Sequence, residues 1–149
     1  MSDSLKGQLQ DAMKAAMRAK EKTRLGVIRL ILSAIKQREV DERIELDDKQ
    51  VLLVLDKMLK QRRESIAQFL VASRDDLVAV EEAEIVIIQE FMPEPLSEAE
   101  VASLISHAIS EAGAESMKDM GKVMAIIKPK AQGRVDMSMV SKLIKAQLS

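Results

Sequence analysis

Apolar residues recur three and four positions apart along almost the whole chain: Leu5, Leu9, Met13, Ala16 and Met17; then Leu25, Ile28, Ile31, Leu32 and Ile35; then Leu52, Leu55, Leu59, Ile66 and Phe69. Each set is one stripe of an amphipathic helix, apolar toward a core and polar toward water. Asp47 or Asp48 is placed to N-cap the third helix, predicted to run to about Ser73, and Asp75 to help start a fourth carrying Leu77, Val80, Ile85 and Ile88. No segment alternates with strand period. The apolar run 85–88 has β-propensity, but it follows Glu81-Glu82-Ala83-Glu84, which favours helix, and it is read as helix.

Pro93-Glu94-Pro95 breaks this pattern, because a proline disfavours the α conformation in the residue before it. Ser97-Glu98-Ala99-Glu100 then has the form of a capping box and opens a fifth helix with Val101, Leu104, Ile105, Ala108 and Ile109 on one face. Gly113 is placed to stop it. Ser116 to Asp119 repeats the cap signature for a sixth helix, Pro129 to Gly133 predict a turn, and Asp136 opens a seventh through Leu148. The expected organisation is a helical bundle over 1–92, a proline-containing linker over 93–96 and three short helices over 97–149. A unit as small as the last has a marginal core of its own and is expected to lean on the first unit or on a partner.

The chain has 149 residues, 47% of them hydrophobic, yet Phe69 and Phe91 are its only aromatics, so the core is aliphatic. The absence of cysteine excludes disulfides, thiolate nucleophiles and cysteine-based metal sites. The start Met1-Ser2-Asp3-Ser4-Leu5 lacks a basic segment followed by an apolar run, and nothing approaches the ~20 apolar residues of a membrane span. These features predict a soluble cytoplasmic protein with no membrane contact.

A net charge of −1 conceals a segregation. Residues 1–74 carry 16 Lys/Arg against 11 Asp/Glu, residues 75–117 carry 11 acids and no Lys/Arg, and residues 118–149 carry seven bases against two acids. Basic ends attract a polyanion locally even where the whole molecule does not; acids and bases that pair within the fold would give the same counts.

Most catalytic chemistries find no support. His107 is read as an ordinary, partly exposed residue rather than as part of a relay or a metal site. Glu81 and Glu84 share a helix face that is better explained by solvation than by a divalent ion. Ser33 to Lys36 has a Ser-x-x-Lys form without its companion motifs, and the five glycines are too scattered for a phosphate loop. No catalytic residue, metal or cofactor is expected. Nucleic-acid binding fares better, since Lys118, Lys122, Lys128, Lys130, Arg134, Lys142 and Lys145 supply cations for phosphate contacts. With no aromatic in this region, base stacking is unavailable and recognition would rest on shape and phosphate. A solubilising lysine-rich face is the alternative. Gly121, in the first turn of the sixth helix, and Gly133, in a turn, read as packing or turn requirements, with close approach of a ligand as the sharper option.

The ordered series Asp119-Met120-Gly121-Lys122-Val123-Met124, Lys128-Pro129-Lys130, Gly133-Arg134-Val135-Asp136 and Val140-Ser141-Lys142-Leu143-Ile144-Lys145 resembles the tail module of the GatB/YqeY family. That module is found in the B subunit of the aminoacyl-tRNA amidotransferase and in small stand-alone proteins. Upstream, Arg29-Leu30 with Ser33 to Lys36, Lys60 to Ser65 and Glu81 to Glu84 resemble the stand-alone members' first domain, so the likeness covers roughly 4–148. Phe91-Met92-Pro93 stands where the family usually has Tyr-Leu-Pro, keeping the proline and losing a hydroxyl.

The resemblance implies an all-α fold, an N-terminal helical bundle followed by a three-helix GatB-tail-like domain. It implies a tRNA-binding accessory role beside glutamine-dependent amidotransferase (carbon–nitrogen ligase) activity, with tRNA as the first partner, an amidotransferase or another protein as the second, and no DNA. The amidotransferase's catalytic parts have no counterpart here, so binding without catalysis is expected. Lys122, Lys130 and Arg134 become the first-choice RNA contacts, Gly121 and Gly133 permit close approach, and Lys118, Lys128, Lys142 and Lys145 come second. Arg29, Lys36, Arg62 and Arg63 would extend the surface or pair with carboxylates. A protein adaptor using the acidic 75–117 region and Met-rich helices is the alternative.

Overall fold

A computed structural model of the chain describes residues 4–149, so the reading of the Met1 to Asp3 start falls outside it. Among the described residues there are seven α-helices and no strand: α1 (Leu5–Ala19), α2 (Lys22–Glu42), α3 (Asp48–Val71), α4 (Asp75–Gln89), α5 (Glu98–Ala112), α6 (Met120–Ala131) and α7 (Met137–Leu148). The all-α class follows, and 85–88 is helical as expected. No helix among these residues is long and apolar enough to cross a membrane. The chain forms two compact units, Met1–Met92 and Pro93–Ser149.

In the first unit the predicted stripes meet in one aliphatic core, centred on Leu9 of α1, Ile28, Ile31 and Ile35 of α2, Val51 and Leu55 of α3, and Ile88 of α4. Asp47 caps α3, accepting from the Gln50 backbone N–H at 2.9 Å while the Gln50 side chain accepts from Asp47 N–H. The helix stops at Val71, short of the predicted Ser73, which takes a left-handed φ of 56° in the tight connection to α4. α3 and α4 pack as a helical hairpin whose far half leaves the core beyond Leu59. There Arg62 of α3 faces Glu84 of α4, Nε to Oε2 3.8 Å, with both side chains largely buried. Charges pair elsewhere in this unit too: Lys6 with Glu39 at 2.6 Å, Arg24 with Glu90, and Arg38 with Glu42.

The second unit has a separate core of Val101, Ile105, Val123, Ile127, Ala131, Val140 and Ile144. Ser97 and Glu100 form the expected capping box, Gly113 ends α5 with φ 62°, and Asp136 caps α7 by accepting from Ser138 N–H. Two boundaries differ from expectation. Met117–Asp119 is a 3-10 turn, and α6 starts only at Met120. Pro129 lies inside α6 rather than opening a turn. A proline removes one hydrogen bond to the carbonyl four residues back, but near a helix end that loss is outweighed by burying Ile127 and Ala131, both 0% exposed. The predicted linker is also tied down: Leu96 N–H donates to the Arg134 carbonyl at 2.8 Å, and Arg134 Nε donates to the Glu94 carbonyl at 3.0 Å.

Two carboxylates at helix starts of this unit lie below their ordinary pKa because backbone N–H groups bond to the charged form, Ser97 N–H to Glu100 and those of Glu115 and Ser116 to Asp119. A lowered folded pKa contributes stability that is present above the unfolded value and lost as pH falls through the folded one. The melting midpoint followed by α5–α7 amide resonances is therefore expected to be flat from neutrality to about pH 5 and to drop below about pH 4; a midpoint unchanged at pH 3 would remove these caps from the account.

Candidate nucleic-acid interface

The cations of the second unit sit on surfaces set by helical spacing. Along α6, Val123, Ile127 and Ala131 face the core. Lys122, Ile126 and Lys130, four residues apart, form one row on a flank of the helix, whereas Gly121 and Lys128, seven apart, lie on the other flank. Lys118 is on the 3-10 turn, and Lys142 and Lys145 are exposed on α7. The nine expected residues thus do not make one continuous patch.

Two of the three first choices do converge. Lys130 and Arg134 line an open cleft of about 500 Å³ whose other wall is α5, with Leu96, Ala99 and Leu104 as its apolar lining and Glu100, Ser103 and His107 as the rest of its polar lining. Arg134 is fixed there by its bonds to Glu94 and Leu96, so it belongs to the fold as well as to the surface. Sequence reading passed over Ser103 and set His107 aside. Their four-residue spacing was visible, but nothing local joins α5 to the end of α6.

None of the seven cations from Lys118 to Lys145 is in a salt bridge among the described residues; the ion pairs there all lie in the first unit. Among the described residues, five of the first unit's sixteen bases (Lys6, Arg24, Arg38, Arg62 and Arg74) are in salt bridges and none of the second unit's seven is. Arg62 goes to Glu84 of the fourth helix, and Glu39 is taken by Lys6, while Arg29, Lys36 and Arg63 remain exposed.

The glycines part company. Gly133 takes a left-handed φ of 78° between α6 and α7, the turn role expected of it. Gly121 is not explained by packing, since a Cβ there would meet nothing within 4 Å.

A basic row on α6 running into a proline-marked end and a glycine turn is the arrangement carried by the sequence series described above, and the chain matches the family described as "Yqey-like protein" over residues 6–148. The chain belongs to the Yqey-like protein family. The Yqey-like chain is 39% identical over 106 residues to "Altered inheritance of mitochondria protein 41, mitochondrial" of Lachancea thermotolerans, covering 69% of this chain and 57% of that protein. It is 42% identical over 92 residues to the protein of the same name from Eremothecium gossypii, covering 61% and 50%, and 40% identical over 85 residues to that of Saccharomyces cerevisiae, covering 56% and 46%. The chain spans about half the length of the curated relatives it matches. These relatives are named as mitochondrial proteins, which overturns the cytoplasmic expectation. Lack of cysteine and of an apolar span fits any aqueous compartment and could not have distinguished them.

Proposed function

We propose that this Yqey-like protein is a non-catalytic tRNA-binding accessory protein, linked to glutamine-dependent aminoacyl-tRNA amidation, whose second unit holds the RNA backbone through Lys122, Lys130 and Arg134. The observation that carries this reading is that none of the second unit's seven bases is in a salt bridge among the described residues, with Lys122 and Lys130 exposed on α6, whereas Lys6, Arg24, Arg38 and Arg62 of the first unit are paired. Gly121 adds support, because a residue with open space over it lets a phosphate backbone come close to the start of α6.

The test is binding of purified protein to total tRNA between 50 and 200 mM salt, roughly the span over which phosphate contacts weaken steeply. A double variant, Lys122→Ala with Lys130→Ala, spares Arg134 and with it the fold. It is expected to weaken binding and to flatten the log–log salt slope by about 1.4 to 1.8, at ~0.7 to 0.9 per lost contact. An unchanged slope, or no binding by the wild type at low salt, would remove the RNA reading.

One observation favours a protein-partner reading beside it. Leu70, Val71 and Val80, at the α3–α4 end of the hairpin, are 57%, 89% and 56% exposed. Capture of a defined protein that persists at high salt and is lost in Val71→Asp would support that role.

A further inference from the structure

We propose that the outer face of α2 is a second RNA-backbone contact, on the first unit, in which Lys22, Arg29 and Lys36 meet separate phosphates and Gly26 lets the strand lie against the helix. The class of ligand rests on the RNA reading above; the surface and its residues are additional to it.

Residues 12–37 carry seven Lys/Arg and one acid, Glu21. Arg24 is the one of the seven in a salt bridge among the described residues, with Glu21 and Glu90. Helical spacing then draws a line along α2: Lys22, Gly26, Arg29, Ser33 and Lys36 follow one another at steps of four and three residues, all are exposed, and no carboxylate interrupts them. Glu39, one turn beyond Lys36 and within its field, is bonded to Lys6 at 2.6 Å.

Gly26 is an independent mark on the same line. It sits in the interior of a 21-residue helix, where glycine is less favourable than alanine, and a Cβ there would meet nothing within 4 Å. Packing inside the fold does not require the glycine, whereas close approach of a backbone from outside does.

The spacing and the composition select the ligand. Successive cations are seven residues apart, about 10.5 Å along the helix axis, which suits repeated charges on an extended chain rather than one small anion. Protein interfaces centre on apolar side chains, whereas this line has none and Leu30 lies at its edge. A polar, strongly positive surface is the pattern of nucleic-acid contacts, and with no aromatic ring on α2 the contact is to phosphate and shape.

The experiment measures binding of total tRNA by the full chain at roughly 50 to 200 mM salt for three variants. They are Lys22→Gln with Arg29→Gln and Lys36→Gln; Gly26→Gln; and, as a control for net charge, Lys49→Gln with Lys57→Gln and Lys60→Gln on α3, where the lysines are exposed and Asp56 and Glu64 lie within a turn of Lys60. The α2 triple variant is expected to keep its helicity and to lose roughly 2 to 3 from the log–log salt slope, at ~0.7 to 0.9 per contact, while the α3 triple keeps most of its slope. Gly26→Gln is expected to melt at or above the wild-type temperature and yet to bind about threefold to tenfold more weakly, a combination that a purely structural glycine does not give. Equal slope losses in the two triple variants would make the effect one of net charge and overturn the contact. An α2 triple variant that binds like the wild type would also overturn it, and the RNA reading would stand if Lys122→Ala with Lys130→Ala still weakens binding. Loss in the α2 variant with none in the α6 variant would keep this contact and remove the second unit's, whereas a wild type that binds no tRNA removes both. Tighter binding of poly-L-glutamate than of tRNA at equal salt would overturn the RNA assignment in favour of an acidic polypeptide.

Discussion

Ile127→Ala is expected to unfold the second unit at room temperature. Ile127 is fully buried in α6, in one cluster with Ile105, Val123, Val140 and Ile144. Removing such a side chain costs ~2–5 kcal/mol, the lost transfer free energy plus the cavity left behind. A core of this size rarely supplies more than ~3–5 kcal/mol in total, and here it holds neither disulfide nor aromatic residue. The loss is therefore comparable with everything the unit has. Amide resonances of α5, α6 and α7 should collapse toward random-coil positions while those of α1–α4 keep their dispersion. Ile126→Ala, one position along and only partly buried, is the control and should leave the spectrum intact. A variant at Ile127 that melts like the wild type would show that the second unit draws its stability from outside its own core.

The second large effect is expected at the hairpin. Arg62 and Glu84 are largely buried, with side chains 13% and 19% exposed, and Arg62 Nε has no hydrogen-bond partner even though the carboxylate is 3.8 Å away. Arg62 does donate from a terminal nitrogen to the Met58 carbonyl at 3.3 Å. An ion pair taken from water and held at that distance recovers little of its desolvation cost, yet removing one partner strands the other. Arg62→Ala and Glu84→Ala should each cost about 1–3 kcal/mol in urea unfolding. The double replacement Arg62→Met with Glu84→Leu should restore stability to about the wild-type level, because two apolar side chains of similar volume remove both buried charges. A double variant as unstable as the sum of the single ones would mean that the charges act independently. Arg62 is thereby withdrawn from the RNA surface, which a count of family-like basic residues would have included.

What was legible in the sequence was the chemistry that acts within a few residues. Asp47, Ser97, Gly113 and Asp136 end or begin helices through their own side chains or backbone, and each does so in the structure. Pro129 was misread for the same reason: its local rule says break, and only the burial of Ile127 and Ala131 against other helices overrides it. Charge counts showed where acids and bases are but not whether they touch, so the difference between a first unit with some of its bases paired and a second with none in a salt bridge among the described residues needed coordinates. The cleft was further out of reach. His107 and Lys130 belong to different helices, and only the packing of α5 on α6 brings them to one opening.

Arg134 grips the chain forty positions upstream, at Glu94, and so the second unit is a closed loop rather than three helices in a row. Closing a loop costs configurational entropy that grows slowly with its length, and the segment being gripped lies between two prolines, Pro93 and Pro95, whose ring-fixed backbone has less freedom to lose. The prolines are thus part of the latch as well as a stop signal for the helix before them. A piece of chain cut at Ser97, where the helix visibly begins, would leave Arg134 with nothing to hold, whereas one cut at Pro93 keeps the loop closed and carries its own fastening with it.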